Sequence, residues 1–158
     1  MTARLGLLVA VGAAPLLASC LAGRPAAEPG PGVAGGAALG SFAVSSRQLG
    51  EATLAPSECT AGDRQLFLGA DLTSPGAPLG LRLAVDPLEG PGVRVFATDA
   101  PLEKAVVFHR SDCTVFRFSL DATGWRVNDV NDYRLALEID CGRVGERVRG
   151  SASSTHCH

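Results

Sequence analysis

The sequence predicts an all-β fold, an antiparallel β-sandwich of about seven to nine short strands with two disulfides, in residues 41–158. Apolar residues alternate with polar ones in short runs, which is typical of strands that bury one face. Turn residues separate these runs roughly every 8 to 12 residues, and no run after the N-terminal segment has the period of an amphipathic helix. The 118 residues from Ser41 to His158 are a normal length for one sandwich domain.

The first half of this region contains four predicted strands, bounded by turns rich in glycine and proline. The third run is the most regular, because every residue between its leucines is small or charged. The apolar faces of the four runs are, in order, Phe42 and Val44; Leu66, Leu68, Ala70 and Leu72; Leu79, Leu81, Leu83 and Val85; and Val93, Val95 and Ala97.

The second half contains four more predicted strands. Their apolar faces are Val106 and Phe108; Phe116, Phe118 and Leu120; Tyr133, Leu135, Leu137, Ile139 and Cys141; and a weak final run from Arg147 to Ser151. That last run carries Arg147 and Arg149 on one face, and charged side chains are common on exposed edges, so it is predicted to be the edge of a sheet.

Residues 1–19 have the composition of an export signal. A basic start with Arg4 is followed by an apolar run from Leu5 to Leu17 and then by small residues. The apolar run is several residues short of the roughly 20 that a helix needs to cross a bilayer. The sequence therefore predicts a cleaved signal peptide and not a permanent membrane span.

The last four residues of this segment, Leu17, Ala18, Ser19 and Cys20, resemble the lipobox of bacterial lipoproteins. The resemblance implies that a diacylglyceryl group is attached to the Cys20 thiol and that signal peptidase II cuts just before it. Two or three acyl chains would hold the mature protein stably on a membrane surface. The alternative is an ordinary secretory signal, cut near Ala18 or Ser19, which would leave Cys20 as a free thiol.

Residues 20–40 are predicted to be the lipidated cysteine and a flexible tether. Glycine, proline and alanine dominate this segment, and a flexible chain of about 20 residues reaches on the order of 25 Å. In diderm bacteria an aspartate after the lipidated cysteine tends to retain lipoproteins at the inner membrane. Leu21 stands at that position, so the resemblance favours the outer membrane if the organism is diderm.

The charge balance argues against nucleic acid as a partner. Removal of residues 1–19 takes away Arg4, which leaves 13 basic residues against 16 acidic ones and a net charge of −3. Binding a phosphate backbone requires a clustered excess of cations. The expected partners are the membrane, through the lipid anchor, and an envelope protein, a glycan or a small ligand.

Four cysteines remain when Cys20 is set aside, and an even number in an exported chain indicates two disulfides. Four cysteines allow three pairings. The sequence favours Cys113 with Cys141, at the ends of neighbouring strands, and Cys59 with Cys157.

The first of these pairs conflicts with simple strand pairing. Residues opposite each other in an antiparallel pair point to the same face, and Cys113 opposite Cys141 would place Phe116 opposite Glu138. Either a β-bulge lies near residues 111–114, or Cys113 lies in the turn before its strand and reaches across diagonally.

The C-terminal residues His156, Cys157 and His158 have the composition of metal ligands. The two histidines alternate around the cysteine, so on a strand they would share one face. If Cys157 forms a disulfide, however, the histidines simply end the chain. The sequence therefore predicts no metal site, with His156 and His158 as the candidates should one exist.

A polar segment between the two clearest C-terminal strands is the candidate binding loop. It contains Asn128, Asp129, Asn131 and Asp132, preceded by Trp125. Such oxygens can bind calcium at the end of a sandwich, but the same residues also form turns, and no EF-hand spacing is present. Trp125 is expected to pack over an edge of the core.

No motif in the sequence predicts catalysis or a cofactor. The run His109, Arg110, Ser111 and Asp112 contains suitable residue types, but consecutive residues cannot form a triad, and hydrolase and phosphate-loop motifs are absent. The sequence therefore predicts a non-enzymatic binding or structural module anchored to the envelope. The alternative is a lipid-anchored hydrolase or metal-dependent enzyme with its site near His109 or near His156 and His158.

Overall fold

The structure is a computed structural model that describes residues 38–158. The predicted signal peptide (1–19), the predicted lipidation site Cys20 and residues 21–37 of the predicted tether lie outside the described residues. The first strand begins at Gly40, two residues after the start of the described segment. Leu39 is already fixed by hydrogen bonds to the backbone of Pro56 and Ser153.

Ten strands and three short 3-10 turns make up the described chain. The strands are β1 Gly40–Ser46, β2 Gly50–Leu54, β3 Glu58–Ala61, β4 Gly69–Thr73, β5 Leu79–Asp86, β6 Gly90–Ala97, β7 Val106–His109, β8 Cys113–Val127, β9 Val130–Arg143 and β10 Glu146–Cys157. The 3-10 turns are Gly62–Gln65, Leu102–Lys104 and Arg110–Asp112.

The strands form two five-stranded antiparallel sheets. Sheet A has the order β2-β1-β10-β9-β8, and sheet B has the order β3-β4-β5-β6-β7. The described part of the chain thus starts in sheet A, forms sheet B as five successive strands, and returns to complete sheet A. The predicted all-β sandwich is confirmed, with ten strands because the two short strands β2 and β3 add to those that the sequence indicated.

One hydrophobic core lies between the sheets and is built from the alternating positions of both. Sheet A contributes Phe42, Val44, Leu54, Phe116, Leu135, Leu137, Ile139, Cys141, Val148 and Ala152; sheet B contributes Leu72, Leu79, Leu81, Leu83, Val93, Val95, Val106 and Phe108. At about 25 cal/mol per Å² of buried apolar surface, these rows supply most of the driving force for folding.

Two strand predictions are wrong in detail. Leu66 and Leu68 were expected on the apolar face of the strand that contains Leu72, but they are 95% and 60% exposed. A 3-10 turn occupies Gly62–Gln65, Leu66 adopts the left-handed conformation, and β4 begins only at Gly69. The alternation of leucines therefore begins before β4 does, and Leu66 and Leu68 are not buried.

The final run is the second correction, because it is not a sheet edge. β10 extends from Glu146 to Cys157 and lies between β1 and β9 in the middle of sheet A. Its two arginines point away from the core and approach the Asp140 carboxylate of β9, with nitrogen–oxygen distances of 3.0 Å for Arg147 and 3.7 Å for Arg149. The charges that suggested an edge form cross-strand ion pairs instead.

Both predicted disulfides are present, Cys59–Cys157 and Cys113–Cys141. The parity conflict is resolved by a β-bulge. Cys113 pairs with Cys141, but the next pair is Val115 with Asp140, so Thr114 is the extra residue and Phe116 lies opposite the apolar Ile139. The bulge was the first of the two explanations that the sequence left open.

Among residues 38–158, no helix is long and apolar enough to cross a membrane.

Removal of the two disulfides should destabilise the domain unequally. The Cys59–Cys157 bridge closes a loop of about 100 residues, worth up to about 4.7 kcal/mol, whereas the shorter Cys113–Cys141 loop is worth about 3.5 kcal/mol. We expect urea unfolding of the Cys59→Ala/Cys157→Ala variant to show the greater loss. The matched control is Cys113→Ala/Cys141→Ala, and a greater loss in that control would contradict the prediction.

Candidate functional site

The candidate binding loop is largely a β-hairpin. β8 ends at Val127 and β9 begins at Val130, so only Asn128 and Asp129 form the turn. Their φ angles of 49° and 63° place both in the left-handed region, which asparagine and aspartate tolerate better than most residues. The other candidates lie on the flanking strands, Trp125 on β8 and both Asn131 and Asp132 on β9.

Trp125 does not pack over the core, contrary to the sequence-based expectation. Its side chain is 75% exposed, and its neighbours Gly124 and Arg126 are exposed as well. The end of the β8–β9 hairpin, residues 124–129, is named the hairpin tip; Asn128 and Asp129 of its turn are exposed as well. Tryptophan is highly buried on average in folded proteins, and burial of this indole in a contact would gain considerable free energy.

Asp132 is the most buried polar residue of the region, with 1% of its surface exposed. Its Oδ2 accepts a hydrogen bond from Thr123 Oγ1 at 2.8 Å and lies 3.1 Å from His156 Nδ1. Its Oδ1 accepts a hydrogen bond from the Cys157 backbone N–H at 3.1 Å. The carboxylate therefore joins three strands: β8, β9 and β10.

An irregularity in β8 brings Thr123 to this carboxylate. Ala122 pairs with Tyr133, but the next pair toward the turn is Arg126 with Asn131. Residues 123–125 of β8 therefore lie opposite a single residue of β9, Asp132. The Thr123 hydroxyl occupies the resulting gap, where it also accepts a hydrogen bond from the Trp125 backbone N–H at 3.2 Å. The position of Trp125 thus depends on the Asp132 network.

The hydrogen bonds hold Asp132 ionised. Burial by itself raises the pKa of a carboxyl group, but the hydrogen bonds from Thr123 and His156, together with the charge of His156, outweigh burial and lower the pKa of Asp132 below its usual value of 3.8. A proton on Nδ1 of His156 satisfies this bond and leaves its Nε2 to face solvent, since the side chain is 72% exposed.

The two C-terminal histidines share one face, as expected for alternate residues of a strand end. His158 Nδ1 lies 3.6 Å from Asp132 Oδ1, whereas His156 Nδ1 approaches the other carboxylate oxygen, Oδ2. The backbone N–H of His158 also donates to the carbonyl of Cys59 on sheet B. Within residues 38–158, no group of three or more His, Cys, Asp or Glu side chains has the arrangement of a metal site.

A second aspartate, Asp63, fastens the same end of the sandwich across the two sheets. The hydroxyl of Tyr133 donates to Asp63 at 2.9 Å, and the amide of Asn131 donates to it at the same distance. Burial and the bond to Asp63 raise the pKa of Tyr133. Asp63 and Thr123 were not predicted as site residues, because Asp63 lies about 70 residues from its partners in the chain and no motif marks either residue.

His109 lies apart from this cluster, at the end of β7. Its Nδ1 is 3.6 Å from Glu89 Oε2, and both side chains are substantially exposed. The following residues form a 3-10 turn in which the Asp112 carboxylate accepts a hydrogen bond from the His109 backbone N–H. The polar residues from His109 to Asp112 thus form the end of β7 and the 3-10 turn that follows it.

The outer face of sheet B carries a separate polar cluster. Arg82 forms two hydrogen bonds of 2.7 Å with Asp71, and its guanidinium also bonds to Gln65. The ring of Phe67 covers the guanidinium at 4.2 Å. Because every one of these groups is partnered within the fold, the cluster fastens the 62–68 segment to the sheet.

Five depressions in the surface of residues 38–158 have volumes from about 240 to about 430 Å³, and none of the five is lined by His109, His156 or His158. Comparison of the chain with protein-family models, with curated proteins and with solved structures finds no significant match.

Chemically, the site consists of a buried ionised carboxylate that orients an exposed imidazole, next to an exposed indole on a fixed hairpin. The carboxylate oxygens are already engaged by Thr123, Cys157 and His156. Asn131, in turn, is engaged by Asp63. The exposed groups, Trp125 and the turn residues, are those available to a partner.

Replacement of Asp132 by asparagine should destabilise the domain at neutral pH and remove part of its acid sensitivity. Because the folded-state pKa lies below 3.8, the stabilisation by this carboxylate is complete above that value and is lost as pH falls through the lower folded pKa. The free energy of unfolding would be measured by denaturant titration from about pH 7 to about pH 2. It should fall more steeply on acidification for the wild type than for Asp132→Asn.

The control for this experiment is Asp129→Asn, at an exposed turn position with a positive φ that asparagine accepts. It should keep the wild-type stability and acid profile. Identical acid profiles for Asp132→Asn and the wild type would refute the assignment of acid sensitivity to Asp132.

Proposed function

We propose that the protein is a lipid-anchored envelope lipoprotein whose sandwich domain is a non-enzymatic binding or structural module. The anchor is inferred from Leu17, Ala18, Ser19 and Cys20, which resemble a lipobox. A diacylglyceryl group on Cys20 would hold the chain at the membrane, and Leu21 favours the outer membrane in a diderm organism. The tether would let the domain stand clear of the headgroups.

The single observation that supports a binding role is the exposed Trp125 on the hairpin tip. Tryptophan is enriched among the residues that contribute most to binding free energy, because its large rigid surface loses little entropy on contact. Thr123 and Asp132 fix the backbone beneath it, so the indole is presented in a defined place. The proposed partner is a protein, a glycan or a small ligand that contacts this surface.

One observation favours the alternative function, a lipid-anchored hydrolase. A buried carboxylate 3.1 Å from a histidine nitrogen is the base-orienting half of a hydrolytic site. The hydroxyl of Thr123, however, bonds to the carboxylate and not to the imidazole. Hydrolysis of ester or amide substrates by the full chain, abolished in His156→Ala, would replace the binding proposal with this one.

The anchor predicts that the full chain, expressed in a diderm bacterium, is labelled by an alkyne analogue of palmitate. Labelling should be lost in Cys20→Ala, because no thiol remains to carry the diacylglyceryl group. The matched control is Ser19→Ala, which keeps a small residue before the cysteine and should be labelled normally. Mass spectrometry should find Cys20 as the modified first residue, and an unmodified mature chain that begins elsewhere would disprove lipidation.

The binding role predicts that Trp125→Ala weakens capture of a partner without unfolding the domain. Loss of a central tryptophan contact costs about 2 kcal/mol or more, which is about a 30-fold rise in Kd. The full chain in detergent would be immobilised and exposed to an envelope extract, and captured proteins and glycans would be quantified by mass spectrometry.

Leu88→Ala is the control for this experiment, because Leu88 is 96% exposed in the β5–β6 turn of sheet B. A partner of the hairpin tip should be retained by Leu88→Ala and lost by Trp125→Ala. Equal retention by both variants would exclude the hairpin tip as the binding surface.

A further inference from the structure

β8 differs from the other edge strands of residues 38–158. Sheet A ends in β2 and β8, and sheet B ends in β3 and β7. β2, β3 and β7 have only five, four and four residues, whereas β8 has 15. Short edges offer little to another chain, but a long edge exposes a row of unpaired N–H and C=O groups that can pair with a further strand.

The apolar side chains along this edge are incompletely covered. Phe118 and Leu120 alternate on the inner face with the buried Phe116, yet both remain partly exposed at the margin of the core. Both edge strands of sheet B, β3 and β7, have only four residues, too few to cover the whole length of β8. A strand added beside β8 would complete the burial of these two side chains.

The main-chain groups that face the free edge can be assigned from two hydrogen bonds. The Phe116 carbonyl accepts from Arg110, which precedes β8 in the chain, at 3.0 Å. The Asp140 carbonyl of β9 accepts from Thr114 and so faces β8. Because main-chain groups alternate in direction along a strand, Phe116, Phe118 and Leu120 face the free edge and the residues between them face β9. Arg110 already occupies the Phe116 carbonyl, so Phe118 and Leu120 are the residues that offer both N–H and C=O to an added strand.

The sequence of this edge is complementary to itself when read in the opposite direction. Arg117 and Asp121 flank Phe118 and Leu120, with Ser119 at the centre. A two-fold axis through Ser119 pairs each arginine with the aspartate of the second copy and each phenylalanine with the leucine. A closed two-fold contact of this kind is the commonest way in which identical chains associate.

We propose that β8 is a docking edge for a second copy of this chain, which pairs antiparallel to it about Ser119 and joins two A sheets into one ten-stranded sheet. Phe118 of one copy and Leu120 of the other would exchange main-chain hydrogen bonds. Arg117 would pair with Asp121 of the second copy across the outer face, where opposite charges stabilise a strand pair by a few tenths to about 1 kcal/mol.

The side chains are free to make these contacts. Arg117 bonds to Glu138 at 2.8 Å, but the arginine side chain is 75% exposed and the glutamate 52%, so this is a solvated pair of low energy. Asp121 is exposed. The guanidinium can therefore bridge Glu138 and the incoming aspartate without breaking a buried contact.

A cysteine at the axis tests this contact. Ser119 and its copy would form a non-hydrogen-bonded pair, in which Cα atoms lie about 4.5 Å apart, within the range of about 4.4 to 6.8 Å that a disulfide spans. In the full chain exported to the envelope, Ser119→Cys should give a disulfide-linked dimer on non-reducing gels. Ser151→Cys, an exposed position on the central strand β10, is the matched control and should stay monomeric.

Charge reversal tests the register. Arg117→Asp and Asp121→Arg, each combined with Ser119→Cys, place like charges opposite each other and should sharply reduce the crosslink when either variant is expressed alone. Co-expression of the two variants restores two opposite-charge pairs, so the crosslink should return as a mixed dimer. Size-distinct tags on the two variants would identify it, and a normal content of the two native disulfides would show that each variant is folded.

Three results would overturn the proposal: no crosslink with Ser119→Cys in a chain with both native disulfides, equal crosslinking with Ser151→Cys, or no recovery on co-expression. The crosslink is read on non-reducing gels, separately from palmitate labelling and from capture of a partner through Trp125. Failure of the docking edge is therefore distinguishable from failure of the lipid anchor or of the binding role.

Discussion

The insertion of β10 between β1 and β9 is the pairing on which the rest of the structure depends. Without it, sheet A would consist of two separate hairpins, β1–β2 from the start of the described chain and β8–β9 from its second half. The strands approach closely where they meet, since a methyl group at Gly150 would overlap the carbonyl oxygen of Ser41, and one at Gly40 would overlap that of Ser151. The last strand therefore completes the sheet that the first strand begins, and Cys157 at its end is tied to Cys59 of sheet B.

Local alternation allowed some strands to be predicted and not others. β5 and β9 bury every second residue over most of their length, so Leu81 and Ile139 were placed correctly from period alone. Leu66 and Leu68 continue the same period but lie after a 3-10 turn, where the left-handed Leu66 ends the register. Whether a strand is central or at an edge depends on partners far away in the chain, so Arg147 gave no indication that β10 lies between two strands.

The residues of the candidate site were named from the sequence as two separate candidates, the binding loop and the C-terminal histidines, and not as one arrangement. The hairpin residues and the C-terminal histidines were both identified, yet only the fold brings His156 to within 3.1 Å of Asp132. The disulfide Cys59–Cys157 and the pairing of β10 with β9 together set that distance, and neither is a local property of the sequence. Asp63 was not predicted for the same reason, since its hydrogen bond with Tyr133 joins residues that are far apart in the sequence.

The length of β8 links the two proposed surfaces, because the strand carries a free edge in its middle and the hairpin tip at its end. Antiparallel pairing about Ser119 would place the two Trp125 residues six positions on either side of the axis. At about 3.4 Å per residue, they would then lie roughly 40 Å apart. A paired molecule would thus present two binding tips at the two ends of one continuous sheet, and a repeating ligand that reaches both would be held more tightly than by either tip. Confinement of anchored chains to one membrane surface would raise their effective concentration, so that even a small edge contact could pair them.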